Sequence, residues 1–193
     1  VLVDIAFHAR PGTVTAIVGP SGSGKTTIAR LISRFWDVDS GAVMVDGVDI
    51  RELGTEQLMS RLSMVFQDVY LFDDSLIANI RVGRPDASDE EVFRAADLSG
   101  VTSIANRLGW HTPVGEGGRL LSGGERQRVS VARALLKQAP IVLFDEATSA
   151  LDAENEANIL AAMDELREQS TFIVIAHKLD TIKSADQIVV LDE

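Results

Sequence analysis

Thr13-Val14-Thr15-Ala16-Ile17-Val18-Gly19-Pro20-Ser21-Gly22-Ser23-Gly24-Lys25-Thr26-Thr27 is the stretch that decides how the rest of the chain is read. The β-branched run 13–18 ends at a glycine and predicts a buried strand. From Lys25 onward the apolar positions Ile28, Leu31, Ile32 and Phe35 recur at i, i+3, i+4 and i+7, which predicts a helix with one apolar stripe. Between them, Gly19 to Thr26 reads glycine, four residues, then Gly-Lys-Thr, the phosphate-loop pattern in the strand-loop-helix setting that its mechanism needs. The glycines let backbone N–H groups turn inward around a β-phosphate. Lys25 supplies a point charge to the β- and γ-oxygens, and the Thr26 hydroxyl is placed to ligate Mg²⁺. The helix N-terminus at Lys25 adds its partial positive charge.

Two further segments carry chemistry that fits such a loop. Ile141-Val142-Leu143-Phe144-Asp145-Glu146 is an apolar strand ending in adjacent carboxylates, which strand alternation sends to different sides. With a phosphate loop elsewhere, Asp145 is expected to orient the Mg²⁺ shell and Glu146 to polarise an attacking water. In Leu121-Ser122-Gly123-Gly124-Glu125-Arg126-Gln127-Arg128, Ser122 and Glu125 form a capping box for a helix running to Gln138. The two glycines leave its first amides uncovered, so this is a second anion site. It suggests two nucleotides per assembly, or a site closed by a partner chain.

Working outward, Asp39-Ser40-Gly41 is a turn, and residues 42–50 alternate around Asp46-Gly47, a dipeptide suited to a tight hairpin at one edge. Beyond Phe66, residues 75–80, 89–98 and 101–108 read as helical, with Ser88 and Glu91 as a capping box. After Gln138 an α/β rhythm resumes: a strand at 141–144, a helix at 154–168 burying Ile159, Leu160, Met163 and Leu166, and strands at 171–176 and 187–191 around a helix near 179–184. Alternation of this kind implies a mainly parallel sheet covered on both faces. The balance of 18 Lys+Arg against 29 Asp+Glu, a net charge of −11, argues against nucleic acid as a partner. With no cysteine, the chain has no disulfide framework and no thiolate metal site. The longest stretch without a charged residue or histidine, 11–24, is short of the roughly 18 apolar residues of a membrane span.

Gly19 to Thr27, Gln67, residues 121–128, residues 142–146, Ser149-Ala150-Leu151-Asp152 and His177 stand in the order found in the ABC transporter ATPase domain, and the chain resembles that family over almost its whole length. The resemblance implies a P-loop NTPase core with a mainly parallel sheet, an inserted helical subdomain and a small antiparallel β edge. The core is expected at 1–72 and 139–193 and the helical subdomain at 73–138. It further implies ATP and Mg²⁺ as ligands, held in a dimer where each nucleotide lies between one chain's Lys25 loop and the other's Ser122-Gly123-Gly124. There Gly19, Pro20, Ser21, Gly22, Ser23, Gly24, Thr26 and Thr27 wrap the phosphates. Thr26, Asp145 and Gln67 serve the metal, and Gln67 couples it to membrane domains. Glu146 is the base, His177 contacts the γ-phosphate, and Asp152 signals across the interface. On residue chemistry alone His177 also reads as a satisfied core or edge histidine, Gln67 as a solvated strand end and Asp152 as an N-cap.

Residues 66–72 with Asn79-Ile80, and Thr112-Pro113-Val114-Gly115-Glu116-Gly117-Gly118, resemble the exporter-type branch, although Gly117 stands where many exporters carry arginine. The expected role is an ATPase engine at the cytoplasmic face of a membrane, partnered by a second ATPase domain and a transmembrane domain. Soluble relatives in DNA repair insert a long coiled coil between the two phosphate-facing loops, and the spacing of Lys25 and Ser122 leaves no room for one. A translation-type cassette fits the negative charge poorly, and a non-hydrolysing switch fits poorly with both Glu146 and His177 present. The family's adenine-stacking aromatic lies further upstream of the loop than Phe7 does, so the chain is expected to be an excerpt of a longer polypeptide.

Overall fold

A computed structural model of the chain describes residues 2–145, 157, 160, 161, 163, 164, 166, 169–176 and 182–192. These residues form two compact units. The first contains residues 2–64, 139–145 and 170–192. The second contains residues 65–138, together with the described residues between 157 and 169.

The first unit is built on β1 (Val14–Val18), followed by α1 (Lys25–Ile32). Then come β2 (Met44–Val45), β3 (Val48–Asp49), α2 (Thr55–Arg61) and β4 (Leu62–Val65). β5 (Ile141–Asp145), β6 (Thr171–Ile175) and β7 (Gln187–Val190) complete its strands. The main sheet has the order β4-β5-β6-β1-β7. β5 with β6, β6 with β1 and β1 with β7 pair in parallel. The central strands are short, β-branched and buried along nearly their whole length, as a parallel sheet requires. Ile17, Leu143, Ile173 and Ile175 of the sheet pack with Ile28, Ala29 and Ile32 of α1 and with Leu58 and Leu62 in one hydrophobic core.

The hairpin forms at Asp46-Gly47, where φ is +52° and +76°, and β2 and β3 make the expected small antiparallel sheet, separate from the main one. The predicted apolar stripe on α1 is corrected, because Phe35 lies beyond the helix and is exposed. The helix closes with a Schellman pattern: Phe35 N–H donates to Arg30 O at 2.9 Å, and Arg34 N–H to Leu31 O at 3.0 Å. Arg34 occupies the left-handed position (φ +53°) usually given to glycine. Its guanidinium holds it there, donating to Ile50 O at 3.0 Å and Leu53 O at 2.9 Å.

The second unit is helical, with α3 (Leu76–Arg81), α4 (Asp89–Leu98), α5 (Thr102–Leu108) and α6 (Gly123–Lys137). α6 packs against α3 and α4. The Ser88–Glu91 capping box at the start of α4 is present. Inside this unit Arg133 of α6 donates to Asn79 O and Asn79 Oδ1, both at 2.6 Å, and to Tyr70 O at 2.8 Å. Burial without a carboxylate partner among the described residues pushes the Arg133 pKa down to about 10, still far above neutrality. The fully buried Asn79 amide spans the same turn, donating to Phe72 O, Asp74 O and Ser75 O. α6 and the 70–79 segment are thereby tied at several points. α6 also passes close to the chain just after α3, where a Cβ on Gly83 would clash with Arg133 O.

Of the helix expected at 154–168, Ala157, Leu160, Ala161, Met163, Asp164 and Leu166 are helical, and Met163 is buried. Ile159 and the other positions lie outside the described residues. Near 179–184, Ile182 and Lys183 are helical, and 179–181 also lie outside them. No described helix is long and apolar enough to cross a membrane.

Candidate phosphate and nucleotide site

The carboxyl ends of β1 and β5 supply the chemistry of the first unit, the usual side for ligand sites in parallel sheets. Val18 leads into the loop, and Gly24 caps α1 with φ +95°, left-handed backbone that a side chain rarely adopts. At Gly19 a Cβ would lie 2.5 Å from Leu191 O, so the loop leaves β1 against the end of β7. The first intrahelical-type bond of α1 is Ile28 N–H to Gly24 O at 3.0 Å. Ahead of it, the N–H groups of Gly22, Gly24, Lys25 and Thr26 have no acceptor among the described residues.

Lys25 is 5% exposed, yet it pairs with no carboxylate among the described residues. Its Nζ donates to Gly19 O at 2.9 Å and Pro20 O at 2.7 Å, carbonyls of its own loop. A buried ammonium whose acceptors are neutral carbonyls has no counter-ion among the described residues, which suits it to an anionic ligand. The Ser23 hydroxyl, also in the loop, is buried without a hydrogen-bond partner among the described residues. Pro20, Ser21 and Thr27 are exposed along the rim.

Asp145 ends β5, where it pairs in register with Ile175, which in turn lies opposite Ile17 of β1. The first turn of α1 spans the intervening strand, so Thr26 Oγ1 donates to Asp145 Oδ1 at 3.2 Å. The carboxyl group is almost buried, at 5% exposure. A hydroxyl and a carboxylate in contact at the end of a phosphate-loop helix are hard oxygen donors of the kind Mg²⁺ takes alongside phosphate. The unpaired amides, the ammonium held only by carbonyls, the orphaned Ser23 hydroxyl and this oxygen pair fit a magnesium-bound nucleoside polyphosphate.

In the second unit Gln67 follows β4 and is exposed. The backbone before it is fixed, because buried Gln127 of α6 donates Nε2 to Phe66 O at 3.2 Å. The α6 N-terminus has the predicted box: Glu125 N–H donates to Ser122 Oγ at 3.2 Å, and Ser122 N–H donates to Glu125 Oε2 at 2.8 Å. Gly123 and Gly124 N–H remain unpaired among the described residues, and Ser122 and Gly123 are exposed.

Glu146, Asp152 and His177 lie outside the described residues. Reading the sequence also passes over groups whose partners are distant in the chain. Gln127 is one, and Arg107, which pairs with Glu125 from α5, is another. No local sequence signal marks either.

Comparison with known proteins agrees with this geometry. The ABC transporter family model matches residues 2–149. The β-(1→2)glucan export ATP-binding/permease protein NdvA of Agrobacterium fabrum is 48% identical over 98% of this chain. The ATP-dependent lipid A-core flippase of Vibrio vulnificus is 48% identical over all of it. A solved structure of a bacterial Atm1-family ABC exporter with ATP bound superposes with a TM-score of 0.92 over 96% of the chain, at 48% identity. The chain spans 33% of the length of each of these relatives. The α/β fold with a mainly parallel sheet, the phosphate loop and these likenesses together establish that the chain belongs to the ABC transporter family, as a nucleotide-binding domain of the exporter type.

Proposed function

We propose that the chain binds Mg²⁺-ATP and hydrolyses it, powering movement of a substrate across a membrane as the ATPase domain of an exporter at the membrane's cytoplasmic face. Its partners are a second ATPase domain and a transmembrane domain. The observation that carries the reading is the buried Lys25 ammonium, held by loop carbonyls alone, beside the Thr26–Asp145 oxygen pair.

Lys25 and the loop amides bind and orient the phosphates, which sets the γ-phosphate in line for attack. Thr26, Asp145 and Gln67 would hold Mg²⁺, which when bound would supply charge neutralisation at the phosphates. Glu146 accepts a proton as the water oxygen bonds to the γ-phosphorus and the bond to the bridging oxygen breaks, releasing ADP and phosphate. His177 hydrogen-bonds the γ-phosphate. Ser122, Gly123 and Gly124 complete the site of the partner chain, and Asp152 lies at that interface. The relatives are named for a glucan, a lipid A core and an Atm1-type exporter, which supports a cargo chosen outside this domain.

Phosphate release from ATP by the purified full-length protein tests the reading. Turnover is expected with Mg²⁺, and loss of it on chelation with EDTA. Mg²⁺-independent release, or none, would contradict it.

A further inference from the structure

The end of α6 that this reading aims at a nucleotide carries a negative charge of its own. Glu125 sits in the first turn, its side chain 17% exposed, with Oε2 accepting from the Ser122 N–H. Burial disfavours its charged form, but hydrogen bonds from Ser122 and Arg107 outweigh that and hold the carboxyl below the usual range, so it is ionised at neutral pH. An acidic residue in the first turn suits an isolated helix, because it offsets the positive end of the macrodipole. At a helix end meant to attract phosphate the same offset is a fault. The carboxylate lies within one turn of the unpaired Gly123 and Gly124 amides.

Arg107 corrects this fault. It reaches from α5 and donates Nη2 to Glu125 Oε1, pairing the carboxylate with a cation. The neighbouring Arg126 does not pair with Glu125: it donates Nη1 to Leu121 O at 2.8 Å, and its Nη2 lies 4.0 Å from where a Cβ on Gly123 would be, so its charge adds to the same helix end. With the Arg107 side chain 53% exposed, the ion pair adds little to folding. Its larger effect is on the field in front of the helix.

We propose that Arg107 is a positioning and affinity-setting residue: by neutralising Glu125 it keeps the Ser122-Gly123-Gly124 helix end attractive to the phosphates of the nucleotide held in the partner's phosphate loop. This rests on the shared-site reading above and adds a residue that the family motifs do not contain.

The test is the ATP dependence of phosphate release by the full-length protein at low salt. Arg107→Gln is expected to raise KM for ATP by roughly three- to tenfold, with kcat moving less, since an unpaired carboxylate then faces the phosphates. Glu125→Gln keeps the capping box with an uncharged acceptor and leaves the Arg107 charge unopposed, so it is expected to lower KM below the parent's. The double variant should return KM to near the parent's, because both charges of the pair are then gone. The Arg107→Gln penalty should also shrink at about 0.5 M salt. An unchanged KM in Arg107→Gln, or a double variant that keeps the full penalty, would overturn the inference. Absence of Mg²⁺-ATP turnover in the parent would instead overturn the functional reading beneath it.

Discussion

Glutamine in place of Glu146 is expected to leave ATP binding intact while steady-state phosphate release falls by about two orders of magnitude or more, the usual contribution of a positioned general base. The amide keeps the shape and one hydrogen-bonding oxygen of the side chain but cannot take up a proton. The residue before it, Asp145, is buried and engaged with Thr26, which supports proposing Glu146 rather than Asp145 as the base. Binding measured with labelled nucleotide and release measured as phosphate separate the two effects. Release within about twofold of the parent would remove Glu146 from the chemistry.

Lys25→Ala acts on the other side of that division. Charge-assisted hydrogen bonds are typically about 1.5–3 kcal/mol, so ATP affinity is expected to fall by roughly one to two orders of magnitude. The fold itself should survive. Lys25 donates only to Gly19 O and Pro20 O, acceptors on the same loop, and removing a buried ammonium also removes its desolvation cost. Equilibrium binding and nucleotide-free thermal unfolding together check this. Unchanged affinity, or affinity lost only because the apo protein unfolds, would contradict the role given to Lys25.

What the sequence reveals about this chain is what is local in it. The phosphate loop, α1 and both capping boxes are set by residues within a turn of one another, so their spacing is enough. The end of α1 is not legible in this way. The left-handed position there is filled by Arg34, held through Ile50 and Leu53, and no glycine announces the stop before Phe35. α2 and β4 are also easy to miss, because Leu62 both caps the helix and begins the strand, with no turn residue between them. The strand order β4-β5-β6-β1-β7 has no local signature, although it determines that Thr26 meets Asp145. The same holds for Gln127 on Phe66 O and Arg107 on Glu125, contacts between residues far apart in the chain. Segment order along the chain, rather than periodicity, connects residues 121–128 to the phosphate loop.

In the proposed function a nucleotide is held jointly by the Lys25 loop of one chain and the Ser122-Gly123-Gly124 helix end of another. Mixed dimers of the full-length protein, one chain carrying Lys25→Ala and the other Ser122→Arg, distinguish this from a site completed within one chain. With sites shared across the interface, both lesions fall in one site and the other site is intact. Trapped nucleotide should then recover toward about one ATP per mixed dimer, while each single-variant homodimer stays near zero. Trapping is the better readout, because turnover can require both sites to close. No recovery in mixed dimers, with heterodimer formation shown independently, would mean that each chain completes its own site and would contradict the account.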